Sequence, residues 1–166
     1  SVGDQMVADL RVADHRRAGP VALSQTWSDR IEVVGDLQVV PGVRLEVASG
    51  TRIEVGRDAL ATGEDPERVE FVVHGQLVCN ATGRDSVLFT SAAPQPTPGD
   101  WSGLIMSASA RGFIRRTRIE YAQTALRATG LALQAAESAR GVQVLTLDEV
   151  DILSASVDGI RLSDIE

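Results

Sequence analysis

Lysine is absent from the 166 residues of this chain, and all sixteen basic side chains belong to arginine. Its absence excludes Schiff-base chemistry and general-base catalysis by a lysine amine. The single cysteine, Cys79, excludes an internal disulfide framework and any metal site built from several cysteines. Aromatic residues make up 4% of the chain and hydrophobic residues 43%, so a core must be built mainly from aliphatic side chains.

Long apolar runs are also missing. No stretch approaches the roughly 20 apolar residues of a transmembrane helix, and residues 1–19 lack the apolar centre of a signal peptide. The formal net charge of −7 argues against nucleic acid and anionic membranes as partners, because both favour a basic surface. The length fits one domain with one sizeable core.

Apolar and polar residues alternate with period two from residue 21 onward. The stretch "DRIEVVGDLQVVPGVRLEVASGTRIEV" does so between turn signals at Gly35-Asp36, Pro41-Gly42 and Ser49-Gly50. "RVEFVVHGQLVCNATGRDSVLFTS" and "VQVLTLDEVDILSASVDGIRLSD" repeat the arrangement, and helical periodicity is weak. The pattern predicts an all-β fold of short strands.

An Arg-aliphatic-Glu motif recurs at spacings that favour a solenoid. Its copies begin at Arg30, Arg44, Arg52, Arg68 and Arg118. The spacing is 22 residues from Arg30 to Arg52 and 24 from Arg44 to Arg68. From Arg68 to Arg118 it is 50 residues, or twice 25. A sandwich has no reason to keep such a period, whereas each turn of a solenoid adds one strand to a stack. We expect Arg30 to align with Arg52 and Arg44 with Arg68, with these charges facing outward.

Longer stretches resemble a known family. "GDLQVVPGVRLEVASGTRIEV", "VEFVVHGQLVCNATGRDSVLFTSA" and "PGDWSGLIM" resemble the repeats of secreted bacterial parallel β-helix proteins of the pectin-lyase-like superfamily. The resemblance covers residues 26–125 well and 141–165 loosely. It implies an all-β, right-handed parallel β-helix, which we expect to form about six coils over residues 21–166. Because the open end of a solenoid exposes strand edges, we expect residues 1–20 to form an N-terminal cap or linker. It also implies a secreted or cell-surface location, and we expect the domain to be a piece of a longer protein.

The stretch "PTPGDWSGLIM" brings one of the two tryptophans, Trp101, to the start of a strand. Pro98 and Gly99 predict a tight turn, and Gly103 would let neighbouring backbone approach closely. Large apolar side chains mostly serve cores, so packing is the first interpretation of Trp101. Sugar stacking is the alternative, which keeps Trp101 among the candidate binding residues.

Positive charge is densest at Arg111, Arg115, Arg116 and Arg118. A solvated outer face explains these residues most simply, because exposed ion pairs contribute only about 0–1 kcal/mol each. The alternative is a binding patch for an acidic or sulfated glycan.

Residues with catalytic potential are few. His15 and His74 lie far apart without a ligand motif, and no serine lies in a nucleophile elbow. Cys79 shares the parity of Phe71 and Val73, so we expect it to face the core as an inert thiol. We assign no catalytic residue.

Carboxylates concentrate near the end of the chain, at Asp148, Glu149, Asp151, Asp158 and Asp164. Hydrolases of the resembled superfamily use clustered aspartates, and its pectate lyases use aspartates on calcium. Turns and solvated edges explain the same residues, so we assign no cofactor and keep Asp148, Asp151 and Asp158 as weak candidate calcium ligands.

These observations predict a non-catalytic structural or binding module that presents a flat β-helix face to a glycan or protein partner. The alternative is a polysaccharide lyase or glycoside hydrolase with its active site partly outside this chain. Self-association through an uncapped C-terminal coil is a third possibility, because an open solenoid end exposes strand edges.

Overall fold

The computed structural model describes residues 15–60, 62–130 and 145–163, which form strands, turns and loops without a helix. None of these described residues forms a segment that could cross a membrane as a helix. The strands are β1 (Arg16–Val21), β2 (Gln25–Trp27), β3 (Arg30–Val39), β4 (Arg44–Val47), β5 (Arg52–Leu60), β6 (Glu70–Val73), β7 (Gln76–Asn80), β8 (Val87–Ser91), β9 (Gly103–Met106), β10 (Arg111–Glu120), β11 (Thr124–Thr129), β12 (Leu145–Leu153) and β13 (Asp158–Ser163).

The strands stack into three faces, and the pairings between them are parallel. The first face holds β2, β4, β7 and the starts of β10 and β12. The second holds the starts of β1 and β3, then β5, β8 and the ends of β10 and β12. The third holds the ends of β1 and β3, then β6, β9, β11 and β13. The chain visits the faces in this order on each turn, so the molecule is a parallel β-solenoid and the predicted fold class is confirmed.

Equivalent inward positions stack on one another, so the core is a set of apolar columns. On the second face Ile31, Ile53, Phe89 and Ile119 lie in register, and each is at most 3% exposed. Cys79 is buried in a first-face column, as its parity predicted. Each buried Å² of apolar surface contributes about 25 cal/mol, so the columns hold the coils together.

Four aromatic rings form a continuous row through this core. Trp27 packs edge-on against Phe71 at 6.1 Å, and Phe71 packs edge-on against Phe89 at 5.8 Å. Phe89 stacks on Trp101 with 6.4 Å between ring centroids. Trp101 is completely buried, and its indole N–H donates to the Glu120 carbonyl at 2.9 Å. Trp101 therefore packs in the core, and neither face of its ring is accessible for sugar stacking in this structure.

The turn before Trp101 has the predicted shape. Gly99 has a φ of +87°, and the Asp100 N–H donates to the Thr97 carbonyl at 3.2 Å. Gly103 has a φ of +114°, and a Cβ at this position would overlap the Thr124 carbonyl oxygen of the next coil. Only glycine lets two rungs of backbone approach this closely.

The corner between the first and second faces contains left-handed backbone in each coil. Its residues with positive φ are Asp29 at 64°, Gly50 at 79°, Gly83 at 74°, Arg116 at 48° and Glu149 at 52°. Glycine adopts this conformation without strain, whereas other L-residues lose about 1–2 kcal/mol. The turn glycines seen in the sequence therefore follow from the geometry of the coil.

The loop of residues 62–69 projects between β5 and β6 and is fastened by two carboxylates. Asp36 accepts from the backbone N–H of Gly63 at 2.6 Å and from that of Glu70 at 2.8 Å. The Glu70 carboxylate in turn accepts from the N–H groups of Glu64 and Asp65 at 3.0 and 3.3 Å. Gly35-Asp36 was predicted as a turn between strands, but β3 runs through it and Asp36 anchors the loop.

Two details of the predicted stacking are wrong. Arg44 aligns with Gln76 rather than Arg68, because Arg68 lies in the loop before β6 and donates to the Gly99 carbonyl at 2.9 Å. The described solenoid also has fewer complete coils than the six predicted, since loops between the faces take up chain that the repeat assigned to strands. β1 begins at Arg16, inside the segment predicted as a cap or linker, and residues 1–14 lie outside the described part of the chain.

Candidate functional site

The predicted arginine cluster lies on β10 and faces the predicted carboxylate cluster on β12. The parallel register of β10 and β12 aligns Arg115 with Asp148 and Arg118 with Asp151. The Nε of Arg115 lies 3.1 Å from the Asp148 carboxylate, and a terminal nitrogen of Arg118 lies 3.7 Å from that of Asp151. Two groups that the sequence left as separate candidates therefore neutralise each other across neighbouring rungs.

The other two arginines of the cluster have different surroundings. Arg116 occupies the left-handed corner, where its Nε donates to Glu149 at 2.8 Å and a terminal nitrogen donates to the Gly83 carbonyl. Arg111 is exposed at the start of β10. Because three of the four guanidinium groups face carboxylates, this cluster offers little free positive charge to a ligand.

The three candidate calcium ligands do not converge. Asp148 and Asp151 lie on β12 beside arginines, whereas Asp158 begins β13 on the third face and pairs with Arg161 at 2.8 Å. Among residues 15–60, 62–130 and 145–163, no group of three potential ligand side chains could hold a metal ion. The geometry therefore gives no support to a calcium site at these aspartates.

A large concave surface runs along the third face, where sequence analysis placed no site. Its floor is one outward column in register across successive rungs, made of Gln38, Val72, Ile105, Arg127 and Arg161. The column is apolar over β6 and β9 and cationic over β11 and β13. The groove has a volume of about 820 Å³, and we call it the third-face groove.

One side of the third-face groove is a row of hydroxyl and imidazole groups. His74, Ser107, Thr129 and Ser163 each end the third-face segment of their coil. The Nδ1 of His74 lies 2.9 Å from the Ser107 hydroxyl, and the Ser163 hydroxyl donates to that of Thr129 at 3.2 Å. The row gives the groove a polar edge that repeats with the coils.

The opposite side of the groove is formed by the loop of residues 62–69. Glu64 projects from this loop toward Arg127, with 3.7 Å between carboxylate and guanidinium. Glu70 lies at the base of the loop and is only 4% exposed, because both of its oxygens bind loop N–H groups. Asp36 and Glu70 thus determine the shape of this side without presenting free charge to a ligand.

A second cavity, of about 220 Å³, lies on the other side of Glu64 and Arg127, where Asp65, Glu70 and Ser102 also line it. Burial opposes the ionisation of Asp65, but hydrogen bonds from the Glu67 N–H and from the Arg68 side chain outweigh it, and the pKa of Asp65 is lowered. Asp65 is therefore an anion whose oxygens accept hydrogen bonds from its own loop and from the Ser102 hydroxyl.

Side chains of the last described coil are unusually exposed. Ile160 and Leu162 continue the inward columns of Leu126 and Ala128, yet they are 45% and 53% exposed. No described rung stacks beyond them, and the predicted self-association through this coil stays a prediction.

Comparison with protein-family models, with curated proteins and with solved structures found no match. The case for a site therefore depends on the geometry of the chain itself.

A short repeated pattern in the sequence does mark the groove. The segments Phe71–His74, Leu104–Ser107, Leu126–Thr129 and Ile160–Ser163 share two inward apolar positions, a variable residue between them, and a polar residue at the end. Their unequal spacing, caused by loops of different length, hides the repeat from a search at a fixed period.

Proposed function

We propose that this chain is a non-catalytic binding module of the pectin-lyase-like type, from a secreted or cell-surface bacterial protein, and that its third-face groove binds an extended glycan. The observation that supports this is the continuous outward column of the groove, from Gln38 to Arg161. It combines an apolar floor with hydroxyl groups along one edge. Apolar lining with a few placed polar groups is typical of ligand sites.

The rigidity of the face also favours binding of a linear polymer. Neighbouring rungs are about 4.8 Å apart, so the same kinds of contact recur along the solenoid axis. The groove side chains extend from strands, whose hydrogen-bonded backbone is already ordered, so little backbone entropy is lost on binding. A polymer that lies along the axis would therefore meet a preorganised row of contacts.

A polysaccharide lyase or hydrolase is the second candidate. The smaller cavity supports it, because acidic Glu64 and Asp65 lie there near Arg127. Against it, the oxygens of Glu70 and Asp65 accept hydrogen bonds from the loop, so they are poorly placed to exchange protons with a substrate. A screen against polyuronates and neutral glycans, with and without calcium, separates the candidates by cleavage or by retention of intact polymer.

The groove itself is tested by Ile105→Glu. Ile105 is a half-buried outward residue in the middle of the floor, so a carboxylate there removes apolar contact and adds charge without touching the inward columns. We expect affinity for any retained polymer to fall about tenfold or more, which is about 1.4 kcal/mol or more. Leu88→Glu is the matched control, because Leu88 is a half-buried outward residue of the same coil on the second face. Equal loss in both variants, or no loss in Ile105→Glu, would refute binding in the groove.

A further inference from the structure

Two arginines and two hydroxyl residues converge at the cationic end of the third-face groove. The register of β11 and β13 places Arg127 beside Arg161 and Thr129 beside Ser163. All four line the groove, and residues two apart in a strand point to the same side. Two guanidinium groups and two hydroxyl groups therefore surround one patch of the surface. The Ser163 hydroxyl, which donates to that of Thr129, would turn toward a ligand to donate to it.

The dimensions of this patch suit a small anion. Neighbouring rungs are about 4.8 Å apart, and residues two apart along a strand are about 6.6 Å apart. An oxyanion centred between the four side chains would be within reach of both flexible guanidinium groups and of both hydroxyls. Arginine binds such groups through paired N–H donors.

Existing ion pairs leave donors available. Arg127 faces Glu64 at 3.7 Å, and the Glu64 side chain is 88% exposed, so this pair contributes little and is easily displaced. Arg161 pairs with Asp158 through its Nε at 2.8 Å, which leaves its terminal nitrogens. A guanidinium has five N–H donors, so neither arginine is saturated.

We propose that these four residues form an oxyanion subsite for a sulfate or phosphate ester carried by the bound glycan. The proposal rests on the proposed function, since the ester is taken to belong to the polymer in the groove. A sulfate or phosphate monoester presents three terminal oxygens in different directions, whereas a carboxylate presents two in one plane. Four donors on four sides of the patch are therefore used more fully by the tetrahedral group.

The overall charge of the chain makes the subsite dependent on local contacts. A net charge of −7 repels a polyanion at long range, so binding would come from the arginines at close approach and weaken with salt. The carboxylate of Glu64 competes with the ligand for Arg127. Removal of the Glu64 carboxylate should therefore strengthen binding of the sulfated polymer. If Arg127 had only a structural role, loss of this carboxylate would not strengthen binding.

The experiment measures binding of dextran sulfate, unsulfated dextran, inorganic sulfate and inorganic phosphate to the whole chain by isothermal titration calorimetry. The variants are Arg127→Gln, Arg161→Gln and Glu64→Gln, with Arg44→Gln as the control that removes one exposed arginine from the first face. We expect each groove arginine variant to weaken dextran sulfate binding about tenfold, because a charged hydrogen bond is lost. Glu64→Gln should strengthen it several-fold, Arg44→Gln should leave it unchanged, and unsulfated dextran should bind more weakly. Unfolding midpoints confirm that each variant is folded.

Each contrary result has a distinct meaning. Equal losses for Arg44→Gln and Arg127→Gln would overturn the subsite, because binding would then be diffuse electrostatic attraction. Loss with Ile105→Glu but not with Arg127→Gln or Arg161→Gln would overturn the subsite and leave groove binding intact. If none of these variants changes affinity, the proposed function fails as well. Tighter binding of inorganic phosphate than of dextran sulfate would assign the site to a free anion and overturn the glycan ester.

Discussion

Replacement of Gly103 by alanine should be among the most destabilising single-methyl additions in this solenoid. Gly103 has a φ of +114°, a conformation that costs other residues about 1–3 kcal/mol. A Cβ there would also overlap the carbonyl oxygen of Thr124 and lie 2.9 Å from its carbonyl carbon. These atoms belong to backbone, so the two coils must separate to make room.

The cost can be estimated from the contacts that hold this rung. Separation would weaken the bond from the Gln123 N–H to the Trp101 carbonyl at 2.7 Å and that from the Thr124 N–H to the Ser102 carbonyl at 3.2 Å. Each is worth about 1 kcal/mol, which with the backbone strain gives a loss of about 3–5 kcal/mol. This is a large share of the roughly 5–15 kcal/mol stability of a typical domain.

Gly42→Ala is the matched control. Gly42 also has a positive φ, +79°, but no atom lies within 4 Å of its added Cβ, so only the strain of about 1–2 kcal/mol applies. Urea unfolding followed by circular dichroism measures both free energies, and equal m-values confirm that the same transition is compared. If the two variants lose the same free energy, close approach of the coils at Gly103 is not what requires glycine.

Two further predictions concern ionisable groups in the stack. Burial disfavours the ionised Glu54 carboxylate, but hydrogen bonds from Arg52 and Arg30 outweigh this effect and lower the pKa of Glu54. The ionised carboxylate therefore stabilises the fold fully above the ordinary glutamate pKa of about 4.3. This stabilisation is lost as pH falls through the lower pKa of the folded state. Glu54→Gln should lower the free energy of unfolding by about 1–2 kcal/mol at pH 7 and flatten the acid side of the stability–pH curve. The control Glu46→Gln removes a more exposed carboxylate and should cost less than about 1 kcal/mol. Similar stability–pH curves for the two variants would contradict this account. Burial raises the pKa of Cys79 to about 12. Iodoacetamide at pH 8 should therefore label this thiol only after unfolding. Rapid labelling of the native chain would show that the first-face column around Cys79 opens in the folded state.

The fold class could be predicted because its signals are local. Alternation places Ile31 and Ile53 inward, and their 22-residue spacing matches the register in which they stack. The burial of Cys79 and the close approach at Gly103 followed from parity and from turn chemistry in the same way. Each of these inferences needs only a few neighbouring residues and one assumption about stacking.

The groove could not be predicted because it depends on coil length. Arg68 begins the same Arg-aliphatic-Glu motif as Arg44 but lies in a loop. A three-residue pattern does not indicate whether its segment forms a strand of the stack. Asp36 anchors the same loop from a distant part of the chain, which no local pattern indicates. Arg127 and Arg161 meet only because all the links between coils, short and long, restore the register of the third face.

The corner between the second and third faces tolerates links of very different length. The chain passes from the second to the third face within β3, through the loop of residues 62–69, through residues 92–102, and through residues 121–123, yet the strands beyond each link keep their parallel pairing. Foreign segments grafted at residues 94–96, ahead of the turn to Trp101, should therefore leave the core intact. Because the links and the apolar columns use different residues, evolution could change ligand preference by exchanging one link while the core sequence stays the same.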